Sequence, residues 1–297
     1  MMILGADIGG TSARVVLYDD DTERARVEGA GAPMRTGQGG KLATLLADFA
    51  RPLLLRSNAV RADTLVVGAA GAGRETERAE LQAALERERL AWRVVVTTDA
   101  ELARAAAFAG APGVLLIAGT GSIAVARDAR GNDKRVGGLG WRMGDQGSAY
   151  WLGARALEAV GAMHDGLGGV THLAESLCAT AHVAGIAALV RWSTTASPAE
   201  VAALGPAVIA CADAGDRIAV SLRDAAVEAL AQLALAAGGG MLPIAMSGGL
   251  LAPGRPLRAR VTAALETRHH ATVLQRAIDP CRGAPVLARA QETSAEK

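Results

Sequence analysis

The chain has 297 residues, and 51% of them are apolar, enough for the cores of one large domain or two of ordinary size. Lysine and arginine together number 31 and aspartate and glutamate 30, so no net field favours nucleic acid or an anionic membrane as a partner. Aromatic residues make up 3% of the chain, which argues against a platform for stacked bases.

The cysteines and the N-terminus both indicate a cytoplasmic protein. Cys178, Cys211 and Cys281 are too few and too scattered for a disulfide framework or a C-x-x-C metal site, so we expect free thiols. The first residues enter an apolar run without a basic segment, and we expect no signal peptide. The apolar stretch 225–246 is interrupted by polar residues and glycines, and we interpret it as a helix, a loop and a strand.

The first third of the chain predicts a mixed sheet with helices, in the order β-β-β-α-β-α-β-α. Alternating apolar residues on both sides of a glycine turn predict a hairpin, and helical spacing of leucines follows. The predicted strands and helices, in chain order, are 3–7, 13–18, 23–29, 41–58, 64–70, 75–88, 92–97 and 99–109.

Gly110-Ala111-Pro112-Gly113 predicts a domain boundary. After it the opening pattern begins again, with a strand at 114–118, a glycine loop, a strand at 123–127 and a turn at 128–134. We interpret this as an internal structural repeat. The sequence therefore predicts an N-terminal domain, 1–112, and a C-terminal domain with helical additions, 113–297.

The rest of the chain is predicted to be mostly helical. Residues 148–237 carry this pattern, and within them Ser197-Pro198-Ala199-Glu200 has the sequence of a helix start, with a capping serine, proline and an early acid. A last strand is predicted at 242–246 and a short helix at 285–291.

Three glycine-rich loops each follow an apolar run that predicts a strand. They are Asp7-Ile8-Gly9-Gly10-Thr11, Gly119-Thr120-Gly121-Ser122 and Ser247-Gly248-Gly249. Glycine lets the backbone approach a bulky anion, and successive backbone N–H groups in such turns form a concavity that binds anions. The first loop opens with an aspartate suited to Mg²⁺ through water. The chain has no G-x-x-x-x-G-K-[ST] motif, so these loops predict a nucleotide site of another kind, between two halves of the protein.

The chain resembles the sugar kinase, heat-shock-70 and actin ATPase superfamily. The three loops match, in order, its first phosphate loop, its second phosphate loop and its adenosine loop. The closer resemblance is to the N-acetylglucosamine kinase and BadF/BadG ATPase family, through the long run GGLGWRMGDQGSAYWLG at 137–153. The resemblance covers essentially the whole chain and is strongest over 1–18, 65–155 and 240–252.

This resemblance implies an α/β fold of two ribonuclease-H-like, actin-like ATPase domains that face each other across a nucleotide cleft. It implies ATP and Mg²⁺ as cofactors, with the metal held by Asp7 through water. The residues that it assigns to ATP are Asp7, Gly9, Gly10, Thr11, Gly119, Thr120, Gly121, Ser122, Gly248 and Gly249.

Asp99 lies in Thr97-Thr98-Asp99-Ala100, where a predicted strand passes into a helix. An aspartate at this position favours a helix N-cap, and that interpretation needs no function. The family, however, places its catalytic base in such a Thr-Asp-Ala context. The resemblance therefore implies that Asp99 accepts the proton of a sugar hydroxyl as it attacks the γ-phosphate.

Asp145 also precedes a predicted helix and could act only as its cap. The resemblance implies instead that it holds sugar hydroxyls. The same family stretch places Gly138, Leu139 and Gly140 along the sugar, although Leu139 stands where relatives often have Trp and Gln146 where they often have Glu.

Two further stretches bear on the sugar. Gly71-Ala72-Gly73 matches a substrate loop of the family, and a plain turn is the alternative. Relatives often carry an asparagine that touches the sugar near 31–35, and no asparagine stands there. Arg35 or Gln38 could substitute for it. The residues that the resemblance assigns to the substrate are Gly71, Ala72, Asp99, Gly138, Leu139, Gly140 and Asp145.

The sequence thus predicts an ATP-dependent kinase of a small amino sugar, N-acetylglucosamine or glucosamine, acting at the 6-hydroxyl. One alternative is an ATPase activator of a radical dehydratase, which would hold an iron–sulfur cluster through cysteines. Another is a sugar-responsive regulator without enzymatic activity. The oligomeric state stays open, and a homodimer is compatible with the sequence.

Overall fold

A computed structural model of the protein describes residues 1–10 and 12–295. The chain divides into two compact units. The first comprises Met1–Ala111 and the segment that begins at Ile278, and the second comprises Pro112–Ala277. The predicted second domain, 113–297, therefore runs past the second unit, because the end of the chain packs against the first strand of the first unit.

The first unit is built on a five-stranded mixed sheet in the order β3-β2-β1-β4-β5. Strands β1, β2 and β3 are antiparallel neighbours, whereas β4 is parallel to β1 and β5 is parallel to β4. The carboxyl ends of β1, β4 and β5 therefore meet at one edge of the sheet. The strands are β1 Met2–Ile8, β2 Ser12–Asp19, β3 Thr22–Ala30, β4 Ala62–Ala69 and β5 Ala91–Thr97.

Helices cover both faces of this sheet, so β1 is apolar on both sides. Leu4 and Ile8 pack with the leucines of two helices on one face, while Ile3 packs on the other face with Leu102 and Ala284. The helices are α1 Gly39–Arg56 and α2 Glu75–Glu88 on the first face, and α3 Asp99–Phe108 and the last helix of the chain, α11 Gly283–Ala295, on the second.

The second unit contains a four-stranded sheet in the order β8-β7-β6-β9. Strands β6, β7 and β8 are antiparallel neighbours, and β9 is parallel to β6. The first four strands of the other sheet show the same arrangement of directions, as the internal repeat predicts. The strands are β6 Gly113–Ala118, β7 Ser122–Arg127, β8 Asp133–Gly137 and β9 Ile244–Ser247.

The turn predicted at 128–134 overlaps the first two residues of β8, so its predicted end is wrong, and the strand itself was not predicted. The turn is confined to the residues before it, where the Asp128 carboxylate accepts hydrogen bonds from the backbone N–H groups of Arg130 and Asn132. The strand escaped prediction because it lies at the edge of the sheet, where charged residues such as Asp133 face solvent and apolar alternation is lost.

The helical prediction for 148–237 is confirmed by six helices, which share one core with the sheet of the second unit. The predicted start at Ser197 is a capping box, in which Ser197 and Glu200 each accept a hydrogen bond from the other's backbone N–H. The helices of this unit are α4 Ala149–His164, α5 Leu173–Thr180, α6 Ile186–Thr195, α7 Pro198–Ala203, α8 Gly205–Asp213, α9 Arg217–Ala234 and, after β9, α10 Pro256–His269. None of the helices described between residues 1 and 295 is long and apolar enough to cross a membrane.

Gly5 sets how closely α11 approaches β1, and its replacement is expected to destabilise the first unit. A Cβ atom added at Gly5 would lie 2.6 Å from the Cβ of Ala284. We expect Gly5→Ala to lower the free energy of unfolding by about 1–3 kcal/mol, the usual cost of overpacking, in a denaturant titration. The control is Gly40→Ala in α1, where the new Cβ has no described atom from outside its own helix backbone within 4 Å. Equal stability of the two variants would contradict the expectation.

Candidate active site

The predicted site residues of the first unit lie at the carboxyl edge of its sheet. Asp7 in β1 is opposite Gly68 in β4, and Gly68 is opposite Thr97 in β5. The loops that follow the three strands therefore start side by side. This edge carries Asp7, the Gly71 turn and Asp99, as expected for a ligand site in an open sheet with parallel strands.

Asp7 and Asp99 form the electrostatic centre of this edge. The Asp7 side chain is 14% exposed, and Arg14 Nη1 lies 3.5 Å from its Oδ2. Burial raises the pKa of Asp7 to about 6, with a further contribution from the negative charge of Asp99, while Arg14 lowers it. Arg14 Nε also lies 3.4 Å from Glu28, so the positive charge of Arg14 is shared between Asp7 and Glu28. The edge therefore has an excess of negative charge that a cation would relieve.

Asp99 is the first residue of α3, and Thr98 precedes it as the N-cap. The Thr98 hydroxyl accepts a hydrogen bond from the backbone N–H of Glu101 at 3.0 Å. The capping role that competed with a catalytic role for Asp99 is therefore filled by its neighbour. The sequence could not separate the two, because both residues favour the N-cap position.

The first glycine loop is a tight turn at the end of β1. The Gly9 N–H donates to the Ser12 carbonyl at 2.8 Å. Gly10 is exposed, and apart from its chain neighbours no atom of the described residues lies within 4 Å of a Cβ added to it, so ligand atoms have room there. Thr11, which was also predicted to bind ATP, lies outside the described residues.

The segment that precedes α1 is fixed to the Gly71 turn. The Met34 N–H donates to the Ala70 carbonyl at 2.7 Å. Gly71 has φ +89°, and a Cβ there would lie 2.2 Å from the Met34 carbonyl oxygen, so only glycine fits. The Ala72 N–H donates to the Ala69 carbonyl. The predicted substrate loop is thus a turn, and it also holds the segment before α1 in place.

Two glutamates of α2 hold the same segment from its other side, a contact that no motif in the sequence predicted. Glu77 accepts a hydrogen bond from the Thr36 hydroxyl at 3.0 Å. The Glu80 carboxylate accepts from the backbone N–H groups of Gly37 at 2.9 Å and Gly39 at 2.8 Å. Arg35 and Gln38, either of which could substitute for the family's asparagine, lie in this braced stretch with exposed side chains.

In the second unit the other two glycine loops adjoin each other, because β6 and β9 are parallel neighbours. Gly248 has φ +92°, and a Cβ there would lie 2.3 Å from the Ala118 carbonyl oxygen. The Leu250 N–H donates to the same carbonyl at 3.1 Å. A Cβ on Gly119 would lie 3.8 Å from the Gly249 nitrogen. Glycine is therefore required where the third loop crosses the end of β6.

The second glycine loop rests on the N-terminus of α4. The N–H groups of Ala149 and Tyr150 donate to the carbonyls of Gly119 and Thr120, at 2.9 and 3.2 Å. The loop is closed on itself by the Gly119 N–H, which donates to the Gly121 carbonyl at 2.9 Å. Its shape is thus set by backbone hydrogen bonds before any ligand binds.

Asp145 braces this loop, a contact that the sequence did not predict. Its carboxylate accepts from the Ser122 N–H at 3.2 Å, and the Ser122 hydroxyl donates to the Gln146 carbonyl at 2.8 Å. A Cβ on Gly121 would lie 2.9 Å from the Asp145 carboxyl group. Burial raises the pKa of Asp145, and the Ser122 hydrogen bond opposes this. Both donors of Ser122, which was predicted to bind ATP, are therefore engaged within the protein.

The glycine-rich stretch before Asp145 adjoins the same loop. The Gly138 N–H donates to the Ser122 carbonyl at 2.9 Å, and Gly138 and Gly140 both have positive φ. Leu139, between them, is 65% exposed. The Trp141 ring lies 5.4 Å from the ring of Tyr150 in α4. The stretch thus presents an exposed apolar side chain on a backbone held beside Ser122.

The structure brings the predicted residues into two groups. In the first unit Asp7, Gly71 and Asp99 share one sheet edge. In the second unit the two glycine loops, Gly138 and Asp145 surround the ends of β6 and β9. Which of these residues contact a ligand stays a prediction.

Residues 4–279 match the model of the BadF/BadG/BcrA/BcrD ATPase family. The chain belongs to this family. The match spans both units, and it confirms the family membership predicted from the run at 137–153.

Two curated relatives of the chain are kinases. It is 34% identical over 95 residues to an N-acetylmuramic acid/N-acetylglucosamine kinase of Clostridium acetobutylicum, and these residues make up 32% of this chain and 31% of the relative. It is 32% identical over 129 residues to the glucosamine kinase GspK of Vibrio cholerae, and these residues make up 43% of this chain and 43% of the relative. The matched regions thus span less than half the length of both relatives.

Solved structures resemble the chain over nearly its whole length. A candidate N-acetylglucosamine kinase from Chromobacterium violaceum has a TM-score of 0.81 and 27% identity, with 96% of this chain and 98% of the other covered. A second candidate from Porphyromonas gingivalis has a TM-score of 0.74 at 21% identity, covering 98% and 100%. At that identity the likeness concerns the fold alone, which is the actin-like ATPase fold predicted from the sequence.

The pKa of Asp7 gives a testable pH dependence. Its value in the folded protein, about 6, lies above the unfolded value of 3.8, so the folded state binds more protons between these two values. This group therefore costs stability progressively as pH rises from about 4 to 6, by a total of about 3 kcal/mol. We expect Asp7→Asn to be more stable than the wild type by about 1–3 kcal/mol at pH 7 in metal-free buffer, with the gain absent at pH 4.

Denaturant titrations of both proteins at several pH values measure this difference. The control is Asp48→Asn at an exposed position of α1, where we expect the free energy of unfolding to change by no more than about 0.5 kcal/mol. A gain at pH 7 that persists unchanged at pH 4 would show that the Asp7 charge is not its cause.

Proposed function

We propose that this protein is an ATP-dependent amino-sugar kinase that phosphorylates N-acetylglucosamine or glucosamine at the 6-hydroxyl and releases ADP. The proposal rests on one observation: Asp7 and Asp99 lie at the same edge of the sheet, and Thr98, not Asp99, caps α3. The relatives named as amino-sugar kinases support the choice of substrate.

In this proposal Asp99 is the general base. It accepts the proton of the sugar hydroxyl while the hydroxyl oxygen attacks the γ-phosphorus, and the bond to the leaving ADP oxygen breaks. Such a base must be near its substrate and ionised. The end of β5, where the chain turns into α3, is a rigid place from which to present a carboxylate.

Mg²⁺ fits the Asp7 edge. The excess of negative charge around Asp7 would be relieved by a divalent cation. Burial is the main cause of the raised pKa of Asp7, and the negative charge of Asp99 adds to it. Between residues 1 and 295, as far as they are described, no three His, Cys, Asp or Glu residues form a metal-binding group. This suits Mg²⁺, which keeps several waters and takes few protein ligands. When bound, the ion would neutralise charge on the transferred phosphoryl group.

We assign the nucleotide to the glycine loops, with Gly9 and Gly10 in the first unit and Gly119–Gly121, Gly248 and Gly249 in the second. Support comes from backbone positions that accept no side chain, such as Gly248 at the end of β6. We assign the sugar to Gly71, Ala72, Gly138–Gly140 and Asp145. Leu139 offers an exposed apolar surface there, where the family often has the larger Trp.

The dehydratase-activator alternative requires cysteines placed to hold a cluster. Cys178 is a buried residue of α5, and Cys211 lies within α8. Cys281 is fully buried, and burial raises the pKa of its thiol well above the usual range. These positions favour packing over metal ligation. A purified protein that is brown and redox-active would support the activator instead.

The proposal is tested by measuring ADP release with Mg²⁺ and ATP against a panel of N-acetylglucosamine, glucosamine, N-acetylmuramate, glucose and a no-sugar control. We expect turnover with an amino sugar that exceeds both glucose and the no-sugar rate. Binding of a sugar without any turnover would instead favour the regulator.

Loss of the proposed base should affect turnover and not nucleotide affinity. Asp99→Asn keeps the shape of the side chain and removes its basicity. We expect kcat to fall by roughly 10²–10⁴ with the affinity for ATP nearly unchanged. Steady-state kinetics and calorimetry measure the two quantities, with Asp48→Asn as the control. A variant that keeps a near-normal kcat would remove Asp99 from this role.

Asp145 can be tested without disturbing its brace on the second loop. Asparagine tolerates the positive φ of this position and can still accept the Ser122 N–H, so Asp145→Asn removes only the charge. We expect kcat/KM for the sugar to fall at least about tenfold, because a charged acceptor for sugar hydroxyls is lost. ATP affinity measured without sugar should stay within about twofold. The reverse pattern would move Asp145 from the sugar site to the nucleotide site.

A further inference from the structure

Arg258 supports the third glycine loop from below. It is a residue of α10, with 5% of its surface exposed. Its Nη1 donates hydrogen bonds to the carbonyls of Met246, at 3.1 Å, and Leu251, at 2.7 Å. Met246 lies just before the loop and Leu251 just after it, so a single nitrogen holds both ends of the loop.

The other nitrogen of Arg258 binds the next piece of backbone. Its Nη2 donates to the carbonyls of Leu274, at 3.1 Å, and Arg276, at 3.5 Å. Residues 272–274 pair with β9. The Ile244 N–H donates to the Thr272 carbonyl and the Leu274 N–H donates to the Ile244 carbonyl, both at 2.8 Å. The guanidinium therefore stands where this pairing would continue along β9, and it occupies the carbonyls that a further strand pair would use.

The chemistry of arginine suits this position. A guanidinium is a planar fork of donors that stays charged when buried, so it can bind several carbonyls that point in different directions. All four acceptors found for Arg258 among the described residues are main-chain carbonyls. The loop is also fixed through Gly248 and Leu250 to the Ala118 carbonyl. It is thus held both by α10 and by the end of β6, while Gly249 stays exposed.

We propose that Arg258 is a positioning residue for the nucleotide: it fixes residues 247–251 in the conformation that lets the Gly248–Gly249 backbone approach the bound ATP. This inference rests on the proposed function, because it takes the third glycine loop as part of the nucleotide site. Arg258 acts through the loop and does not touch the substrate.

Arg223 provides a matched control. It is also a buried arginine of the second unit, with 5% of its surface exposed. Its hydrogen bonds, within the described part of the chain, go to the carboxylates of Asp213 and Asp224. Its replacement should therefore lower stability without an effect directed at the third loop.

The experiment compares Arg258→Gln, Arg258→Lys and Arg223→Gln. We expect Arg258→Gln to raise KM for ATP by about tenfold or more, with KM for the sugar within about twofold. Lysine keeps a charged donor group but lacks the planar fork, so the KM for ATP of Arg258→Lys should lie between those of Arg258→Gln and the wild type. Arg223→Gln should lower the unfolding midpoint and leave both KM values within about twofold. Equal effects of Arg258→Gln on both substrates, or no effect on either, would overturn the inference.

Hydrogen exchange tests the loop itself, independently of activity. In Arg258→Lys we expect faster exchange at the Leu250 and Leu251 amides and unchanged exchange at Ile244 and Leu274. Unchanged exchange at Leu250 and Leu251 would also overturn the inference. If the wild-type protein neither binds ATP nor phosphorylates a sugar, the proposed function fails, and the nucleotide role of Arg258 fails with it. If the enzyme is active but its KM values do not change as expected in the Arg258 variants, only the role proposed for Arg258 is wrong.

Discussion

The parallel pairing of strands is the constraint on which the rest of this structure depends. In the first unit β1, β4 and β5 run in the same direction, so Asp7, the Gly71 turn and Asp99 emerge at one edge although they are distant in the chain. In the second unit β6 and β9 place the second and third glycine loops side by side in the same way. Antiparallel pairing in either place would send one loop to the opposite edge.

The residues at these edges are held at an energetic cost that the cores offset. Asp7 is largely buried and is affected by the negative charge of Asp99, and Asp145 is buried with a positive φ. Gly248 is pressed against the end of β6. Features of this kind cluster where a ligand compensates for them. Under the proposed function, a metal ion and a nucleotide on these loops would supply that compensation, and the ATPase family to which the chain belongs supports ATP as the nucleotide.

Two stretches of the candidate site depart from the family pattern seen in the sequence. The segment before α1 lacks the family's asparagine, yet Glu77 and Glu80 hold it against α2. Leu139 leaves an exposed apolar surface where the family often has Trp. Under the proposed function, the preference among amino sugars would depend on these two stretches. The catalytic step would depend on Asp99, whose setting follows the family.

The sequence by itself determined the glycine loops, the family and most elements, including α2, whose predicted bounds 75–88 are those observed. Apolar periodicity, glycines and caps are local signals, so a single chain segment carries them. Only the tertiary structure decided that β8 is a strand, that α11 returns to β1, and that Asp145 braces Ser122. It also placed Arg258 beneath the third loop. These features depend on contacts between distant residues, and such contacts leave no periodic pattern in the sequence.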